Sequence, residues 1–329
     1  RRTVYFDGGS CVINAAGDLG FSLPRFQTAT GIIDLDDERR HSSELTKNER
    51  VASMSEDEAL YEALVIGVRD YFHKTGFSSA LLGVSGGIDS AVCAVIVADA
   101  LGADNVTGIA MPSRFSSEGS LRDALSLATN LGIRCKTIPI DSLHCAYDEL
   151  FESHFSDPLS ELSKQNIQAR IRGNILMALS NTTDALLVST GNKSEWAVGY
   201  STLYGDMCGA IAVLGDVFKT DVYALARYIN RDFERIPLAS IEKPPSAELA
   251  PDQEDSDSLP PYDVLDAILS AHIEGQQGLD EIIAQGFERD TVDWVLKAVK
   301  ISEYKRQQGP VVLKVSSKAF NTGRNFLIT

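Results

Sequence analysis

Short apolar runs alternate with segments of helical spacing between residue 78 and about residue 190. The strand-like runs are ALLGV, NVTGIAMP, RCKTIPI and DALLVST, and the helical segments between the first three are DSAVCAVIVADALG and EGSLRDALSLATNLG. Strands that alternate with helices are typical of a parallel sheet covered on both faces. The pattern therefore predicts an α/β fold built on a doubly wound parallel sheet.

The chain on either side of this region has other patterns. Residues 1–36 contain short apolar segments separated by GG and AAGD, which predict a short β-rich piece with hairpin turns, and residues 37–57 are polar and predict a linker. The segment EDEALYEALVIGVRDYFHKTG predicts a helix that ends at Gly76. Residues 240–262 are rich in proline, serine and acidic side chains and predict a long loop, and helices are expected in the C-terminal part from residue 261.

Composition narrows the class of protein. With 329 residues, 44% of them hydrophobic, the chain can form one large core or two smaller ones. A net charge of -16 argues against nucleic acid or an anionic membrane surface as the main partner, and no apolar run approaches the roughly 18 residues of a membrane span. The five scattered cysteines include no C-x-x-C pair, so we expect a reducing, cytoplasmic compartment.

Polar loops follow the ends of several predicted strands. SGGIDS follows the first strand, PSRFSSEGS the second and TGNKSE the fourth. Ligands of open parallel sheets bind outside the carboxyl ends of the strands. These loops are therefore predicted to form one site at one edge of the sheet.

The glycine-rich loop is the strongest candidate for binding phosphate. The dinucleotide pattern G-x-G-x-x-G is absent, and so is the lysine-containing G-x-x-x-x-G-K-[ST]; the chain has Ser85-Gly86-Gly87-Ile88-Asp89-Ser90 instead. Adjacent glycines allow backbone N–H groups to approach an anion, and the following helix contributes its positive end. A bare phosphate would repel Asp89, so the loop favours a pyrophosphate that Mg²⁺ bridges to this carboxylate. A plain strand-to-helix turn remains the alternative.

The motif S-G-G-x-D-S resembles the pyrophosphate loop of the N-type ATP pyrophosphatases, among them NAD, GMP, asparagine and argininosuccinate synthetases. The resemblance implies cleavage of ATP between its α- and β-phosphates. Four later segments are similar to NAD synthetases in particular, and the similarity extends over roughly residues 56–329. They are STGNKSEWAVGYSTLYGD, KTDVYALAR, PSAELAPDQEDSDSLPPYDVLDAIL and EYKRQQ.

This resemblance implies roles for individual residues. The implied ATP-binding residues are Ser85, Gly86, Gly87, Asp89, Ser90, Arg114, Thr190, Lys219 and Ser246. The implied deamido-NAD-binding residues are Asn166, Arg170, Glu195, Asp206 and Lys305. Asp89 and Glu195 would bind Mg²⁺, and Asp89 and Lys219 would take part directly in catalysis. Taken alone, each of these side chains has an ordinary interpretation, since helical arginines are usually exposed and acidic residues are favoured at helix N-termini.

The implied reaction is ATP-dependent amidation of deamido-NAD to NAD by a carbon–nitrogen ligase. The nicotinate carboxylate attacks the α-phosphate, and ammonia then attacks the adenylylated carboxyl and expels AMP. No protein nucleophile is needed, which agrees with the absence of a Ser/His/Asp or Cys/His arrangement in the sequence. Another adenylating amidotransferase, similar to GMP synthetase, and a nucleotide-sensing module without turnover are the alternatives.

Two departures indicate the glutamine-dependent branch of the family. Leu203 stands where ammonia-using relatives have a lysine before YGD, and Tyr304 where they have a histidine. Residues 1–36 resemble the last strands of a nitrilase-like glutaminase domain, with an unrelated β-rich arm as the alternative. The implied organisation is a glutaminase remnant at 1–36, the linker at 37–57 and a synthetase domain at 58–329. In a longer enzyme glutamine would then be the nitrogen source, whereas this chain would use free ammonia. A homodimer or larger homo-oligomer is implied as the assembly.

Overall fold

The computed structural model describes residues 6–13, 17–32, 54–251, 253–320 and 326. Most of the predicted linker at 37–57 lies outside the described residues, and its last two residues, Glu56 and Asp57, already belong to a helix. Near the N-terminus, β1 (Cys11–Ile13) and β2 (Leu19–Ser22) form an antiparallel pair. The pair is a sheet of its own, in agreement with the predicted β-rich N-terminal piece.

The main sheet has six parallel strands. They are β3 (Ala80–Gly83), β4 (Val106–Ala110), β5 (Arg134–Thr137), β6 (Leu186–Ser189), β7 (Ile211–Ala212) and β8 (Val311–Val312). Their spatial order is β5-β4-β3-β6-β7-β8, so the chain builds outward from β3 in one direction and then outward from β6 in the other. The predicted doubly wound sheet is thereby confirmed.

Helices cover the sheet and form a separate C-terminal cluster. They are α1 (Glu56–Thr75), α2 (Ile88–Leu101), α3 (Glu118–Leu131), α4 (Asp141–His154), α5 (Glu161–Thr183), α6 (Lys193–Val198), α7 (Lys219–Ile229), α8 (Leu238–Glu242), α9 (Tyr262–Leu269), α10 (Leu279–Ile283), α11 (Arg289–Ile301) and α12 (Glu303–Arg306). The predicted loop at 240–262 is largely irregular, with the end of α8 and one 3-10 turn inside it. Within the described residues, no helix is both long and apolar enough to cross a bilayer.

Local sequence explains where the first helix begins and ends. Ser55 precedes α1, and its side chain accepts a hydrogen bond from the N–H of Glu58 at 3.1 Å, which satisfies one of the helix's open donors. Gly76 ends the helix with φ at 82°, a left-handed conformation that glycine adopts at little cost. The predicted end at Gly76 is therefore confirmed.

Strands β3, β4 and β6 are largely apolar because both faces of the central sheet are buried, whereas the edge strand β5 (RCKT) is mostly exposed. Leu82 faces the cluster formed with α1, α2 and α7, while its neighbour Leu81 packs on the other side with Ile171 of α5. Helix α2 is buried along nearly its whole length, which explains its almost continuous apolar sequence. The C-terminal helices have their own core, around Leu265 and Val292.

A buried ion network joins these two cores. The ammonium of Lys193, which is inaccessible to solvent, lies 2.9 Å from Oδ1 of Asp216 and 2.7 Å from Oε1 of Glu274. It also donates to the Ser316 hydroxyl at 2.8 Å, and Asp216 accepts backbone N–H groups from Val315 and Ser316. The network therefore ties α6, the segment after β7, the C-terminal helices and the segment after β8 together.

We expect the substitution Lys193→Met to lower the free energy of unfolding by about 3 kcal/mol or more, because it leaves the buried carboxylate of Asp216 and the partly buried one of Glu274 without their cation. Urea denaturation of the chain measures this change. The control is Lys297→Met, which removes an exposed lysine paired with Asp293 on the outer face of α11 and is expected to cost about 0.5 kcal/mol. If both variants lost the same free energy of unfolding, the ion network would not stabilise the fold more than an exposed ion pair does.

Candidate active site

A cavity of about 610 Å³ opens at the carboxyl ends of β3 and β6, where the direction of strand addition reverses. This is the position at which doubly wound sheets bind ligands. Its walls come from the glycine-rich loop after β3, the loop after β6, the helix α5 and the segment 243–255. A cavity thus lies at the carboxyl end of the sheet, where the sequence predicted one site.

The conformation of the glycine-rich loop requires glycine at residue 86. Gly86 has φ at 79°, and a Cβ atom there would lie 2.1 Å from the carbonyl oxygen of Ser120. Inside the loop, Ser90 Oγ donates to the carbonyl of Gly87 at 3.0 Å and accepts the N–H of Ser85 at 3.2 Å. Gly87 is the N-cap of α2 and provides no side-chain cap. The first turn of α2 therefore offers backbone N–H groups at the cavity, an arrangement that favours anions.

A buried lysine meets two carboxylates beside this loop. The ammonium of Lys219, a residue only 2% exposed, lies 2.5 Å from Oδ2 of Asp89 and 3.6 Å from Oε1 of Glu195. The side-chain amide of Asn192 donates to the other oxygen of Asp89 at 3.0 Å. The same amide group accepts the N–H of Glu195, since Asn192 and Glu195 form the capping box of α6. Asp89 is thus held by groups from two later parts of the chain.

The carboxylates around Lys219 change one another's protonation. Burial, with Asp89 and Asp255 nearby, raises the pKa of Glu195 to about 8, and the opposing charge of Lys219 does not cancel this. Burial alone would lower the pKa of Lys219, but the surrounding carboxylates outweigh it and raise that pKa. Asp255, whose pKa is also raised by burial, accepts a hydrogen bond from the Tyr262 hydroxyl at 2.8 Å. The cluster has more acidic groups than basic ones, which favours the protonated form of Glu195.

Asp89 and Glu195 are the candidate carboxylate ligands for a divalent cation. Among the described residues, no three histidine, cysteine, aspartate or glutamate side chains are grouped as a complete metal site. Mg²⁺ does not require such a group, because it is commonly held by one or two carboxylates together with water and substrate phosphates. Asp89 and Glu195 both lie beside Lys219 and provide carboxylate oxygens, so their chemistry fits this kind of site.

The opposite end of the cavity is built from α5 and the loop after α6. Oδ1 of Asp206 accepts the N–H of Thr202 at 2.7 Å, and the Thr202 hydroxyl donates to Oδ1 of Asn166 at 2.8 Å. Nζ of Lys305 donates to the carbonyls of Gly199 and Ser201, both at 2.7 Å. Burial raises the pKa of Asp206 to about 6, although the positive charge of Lys305 opposes this rise. Residues that are far apart in the sequence therefore form one polar end of the cavity.

Close backbone packing brings α5 and this loop together. A Cβ atom on Gly173 would lie 2.8 Å from the carbonyl oxygen of Tyr204, and one on Gly205 would lie 2.9 Å from Cβ of Ala169. Neither space admits a larger residue without movement of backbone. On the same helix, Nε of Arg170 donates to the carbonyl of Leu203 at 3.2 Å.

The segment 243–255 closes the third side of the cavity. Oε1 of Glu248 accepts the Ser120 hydroxyl at 2.5 Å at the start of α3, and the side chain of Gln168 on α5 donates to the carbonyl of Leu249 at 2.9 Å. Ser246, one of the residues implied to bind ATP, donates its hydroxyl to the carbonyl of Gln253 at 2.5 Å. The predicted loop is thus anchored to both α3 and α5.

All but two of the residues implied by the resemblance line the cavity. Gly86 does not line it, but its conformation shapes the loop that does. Arg114 also lies off the cavity wall; its guanidinium donates to Sγ of Cys145 at 2.9 Å and lies 3.4 Å from Oδ1 of Asp141. An ATP contact for Arg114 therefore stays a prediction that this side-chain position does not support.

Sequence reasoning missed three polar residues that contribute to the site. They are Asn192, Arg172 and Asp255. Asn192 could have been found, because an asparagine three residues before a glutamate at a helix start is a capping signal. Arg172, whose pKa burial lowers to about 10, donates to the carbonyl of Met111 at 3.1 Å, yet its sequence differs little from that of any helical arginine. Asp255 stands among several acids of one loop and has no local signal.

The protonation of Glu195 predicts how stability depends on pH. A glutamate of the unfolded chain ionises near pH 4.3, so between about pH 4.3 and 8 only the folded chain keeps this proton. Folding stability from this group therefore falls as pH rises through that window. We expect Glu195→Gln, in protein freed of metal by chelation, to gain stability relative to the parent chain between pH 5 and pH 9. Urea denaturation at both pH values measures the gain.

The control for this experiment is Glu234→Gln, since Glu234 is an exposed glutamate far from the cavity wall. Its difference from the parent chain should be the same at pH 5 and pH 9. A pH-independent difference for Glu195→Gln as well would contradict the raised pKa.

The family model and the curated relatives that match this chain point to the same family. A family model described as NAD synthase matches residues 60–309. A glutamine-dependent NAD(+) synthetase from Synechocystis is 50% identical over 320 residues, which are 97% of this chain and 57% of that protein. The chain thus spans a little more than half the length of this curated relative.

Solved structures agree with this result. A glutamine-dependent NAD+ synthetase from Acinetobacter baumannii, in complex with ADP, superposes with a TM-score of 0.69 at 38% identity, over 98% of this chain and 59% of that one. An NH3-dependent NAD synthetase from Campylobacter jejuni, in complex with the nitrate ion, has a TM-score of 0.61 at 27% identity, over 74% of this chain and 93% of that one.

Proposed function

The chain belongs to the NAD synthase family, and we propose that it amidates deamido-NAD to NAD while ATP is converted to AMP and pyrophosphate. The observation that carries the proposal is the single cavity with two different polar ends. One end has the loop of Gly86 and Gly87 with the buried Lys219, and the other has Asn166 and Asp206. A dinucleotide acid and ATP can meet between these ends.

At the first end, the protein binds the phosphates of ATP and neutralises their charge. The open N–H groups at the start of α2 and the hydroxyl of Ser85 bind the pyrophosphate portion, while Thr190 and Ser246 contact the nucleotide. Lys219 stabilises the negative charge that develops on the leaving pyrophosphate. Its ammonium is already held in place by Asp89, so little reorganisation is needed when ATP binds.

Mg²⁺ is the proposed metal, with Asp89 and Glu195 as its protein ligands. When bound, it supplies positive charge that offsets the phosphate oxygens. Glu195 must lose its proton to serve as a ligand, and its raised pKa makes metal affinity fall below about pH 8. Asp89 also faces the ammonium of Lys219.

At the second end, Asn166, Arg170, Asp206 and Lys305 bind and orient the pyridine nucleotide. Their role is to hold the nicotinate carboxylate in line with the α-phosphate, because adenylylation needs position more than it needs a protein nucleophile. Ammonia attacks the adenylylated carboxyl, a carbon–nitrogen bond forms, and AMP leaves with the former carboxylate oxygen.

We further propose that residues 1–36 belong to a glutaminase domain and 58–329 form the synthetase domain, with 37–57 as their linker. The separate β1–β2 sheet supports this division, and so does the large exposed fraction of Phe6, Ile13 and Leu19. In a protein with the complete glutaminase domain, glutamine would be the source of ammonia. We place the reaction in the cytoplasm, since all five cysteines are free thiols.

The proposed function predicts that the chain forms AMP and NAD from ATP, deamido-NAD, Mg²⁺ and ammonia. We expect Asp89→Asn to lower kcat/KM by about 100-fold or more, because it removes a metal ligand and the partner of Lys219. The control is Asp104→Asn, an exposed aspartate away from the cavity, which should retain parental activity. Chelation with EDTA should stop the reaction.

Other outcomes of this assay would replace the proposal. Faster AMP release with the substrate of GMP synthetases would favour that activity. Binding of ATP with no AMP formed from any acid would favour a sensing module.

We also propose a homodimer formed through α4 and the start of α5. The outer face of α4 exposes Leu143, Tyr147 and Leu150, which recur at helical spacing, and Phe155 and Leu162 extend this apolar surface. A second copy of the chain is the partner proposed for this apolar face, since most soluble oligomers are symmetric assemblies of one chain. The same helix pair borders the pyridine-nucleotide end of the cavity through Asn166.

We expect light scattering to give twice the 35.7 kDa of one chain, and Leu150→Asp to give the mass of one chain, because it puts a charge into a buried apolar contact. Leu238→Asp is the control, since Leu238 is equally exposed but lies outside this surface. A Leu150→Asp variant that keeps the parental mass would exclude α4 from the interface.

A further inference from the structure

Helix α7 begins at Lys219 without a capping side chain of its own. Its N-cap residue is Phe218, which has no hydrogen-bonding side chain. The first N–H groups of a helix lack acceptors within the helix and must find them elsewhere. Here the N–H of Lys219 donates to Oγ of Ser194 at 2.9 Å, and the N–H of Thr220 donates to Oδ2 of Asp266 at 2.9 Å.

The two acceptors are themselves joined. The hydroxyl of Ser194 donates to Oδ1 of Asp266 at 2.5 Å, so each oxygen of this carboxylate accepts one hydrogen bond. Ser194 is inaccessible to solvent and Asp266 is 4% exposed. Neither residue lines the cavity. We call this pair the α7 clamp.

The α7 clamp connects three parts of the fold. Ser194 lies on α6 directly before Glu195, and Asp266 lies on α9 in the C-terminal helical cluster. Ser194 precedes Glu195 in the chain and also accepts the backbone N–H of Lys219. The clamp therefore positions the backbone of both Glu195 and Lys219, whose side chains lie 3.6 Å apart.

We propose that Ser194 and Asp266 are positioning residues that hold Lys219 in its catalytic location, and that the C-terminal helices act on the ATP end of the cavity through them. The inference rests on the proposed function of Lys219. Neither residue touches a substrate in this scheme; each acts on the lysine through the first turn of α7.

The chemistry of the pair is specific to a carboxylate. An aspartate presents two acceptor oxygens to two donors, and its negative charge is stabilised at the N-terminus of α7. An asparagine at this position has one acceptor oxygen and one N–H₂ group. Either the Thr220 N–H or the Ser194 hydroxyl would then lose its acceptor, although the shape of the side chain is unchanged.

Amide hydrogen exchange in the protein without nucleotide tests the clamp directly. We expect Asp266→Asn and Ser194→Ala to increase the exchange rates of the Lys219 and Thr220 amides by about 10-fold or more, with Leu225 and Ala226 later in α7 unchanged. Asp263→Asn, an exposed residue one turn earlier on α9, is the matched control and should change neither amide. Unchanged exchange at Lys219 and Thr220 in both clamp variants would overturn the proposal.

Kinetics separates positioning from a general structural role. We expect Asp266→Asn to lower kcat by about 10-fold while the KM for deamido-NAD stays within about 2-fold. In a Lys219→Ala background, the same substitution should lower kcat by less than about 2-fold, because the residue it positions is gone. Reductions that multiply in the double variant would show that Asp266 does not act through Lys219, and would refute the proposal.

Failure of the α7 clamp is distinguishable from failure of the proposed function. A parent chain that forms no NAD would remove the proposed function, whereas exchange rates at the start of α7 still decide whether the clamp holds Lys219. If Asp266→Asn does not fold, Ser194→Ala provides the same exchange test with the carboxylate retained.

Discussion

The buried ammonium of Lys219 is the constraint on which the site depends. A cation that is removed from water needs acidic partners within a few ångströms. The nearest carboxylate is that of Asp89, after β3; Glu195 on α6 lies 3.6 Å away, and the ring of Tyr262 lies 5.3 Å from the same ammonium. The sheet, α6 and the C-terminal helices must therefore all be in place before the charge is satisfied, which couples folding of the domain to assembly of the site.

Helix α6, which has only six residues, contacts several of the parts of the chain that form the site. Lys193 at its start carries the ion network of the C-terminal segment, and Glu195 faces the cavity. The carbonyls of Trp196 and Ala197 accept the buried guanidinium of Arg306 from α12. Every one of these contacts is with a distant part of the chain, so a short helix that is marginal by itself is held from several sides.

Local sequence patterns were sufficient to predict an element where the pattern itself causes the structure to form. The apolar runs of β3, β4 and β6 predict buried parallel strands because both faces of the sheet are covered there, and Gly76 predicts the end of α1 because it adopts a left-handed conformation. Strands β7 and β8 were not predicted. Each has only two residues, too few for any periodicity, and each forms because its neighbour in the sheet offers hydrogen bonds.

By itself, the sequence determined the doubly wound fold and the family of the chain, since these follow from short contiguous patterns. Only the tertiary structure decided which acids meet Lys219 and which residue supports it. Asp255 is one of several acids in its loop, and Asp266 is one aspartate on an amphipathic helix. Their roles arise from contacts across many residues of chain, which local spacing does not encode because it reports only on neighbours along a helix or strand.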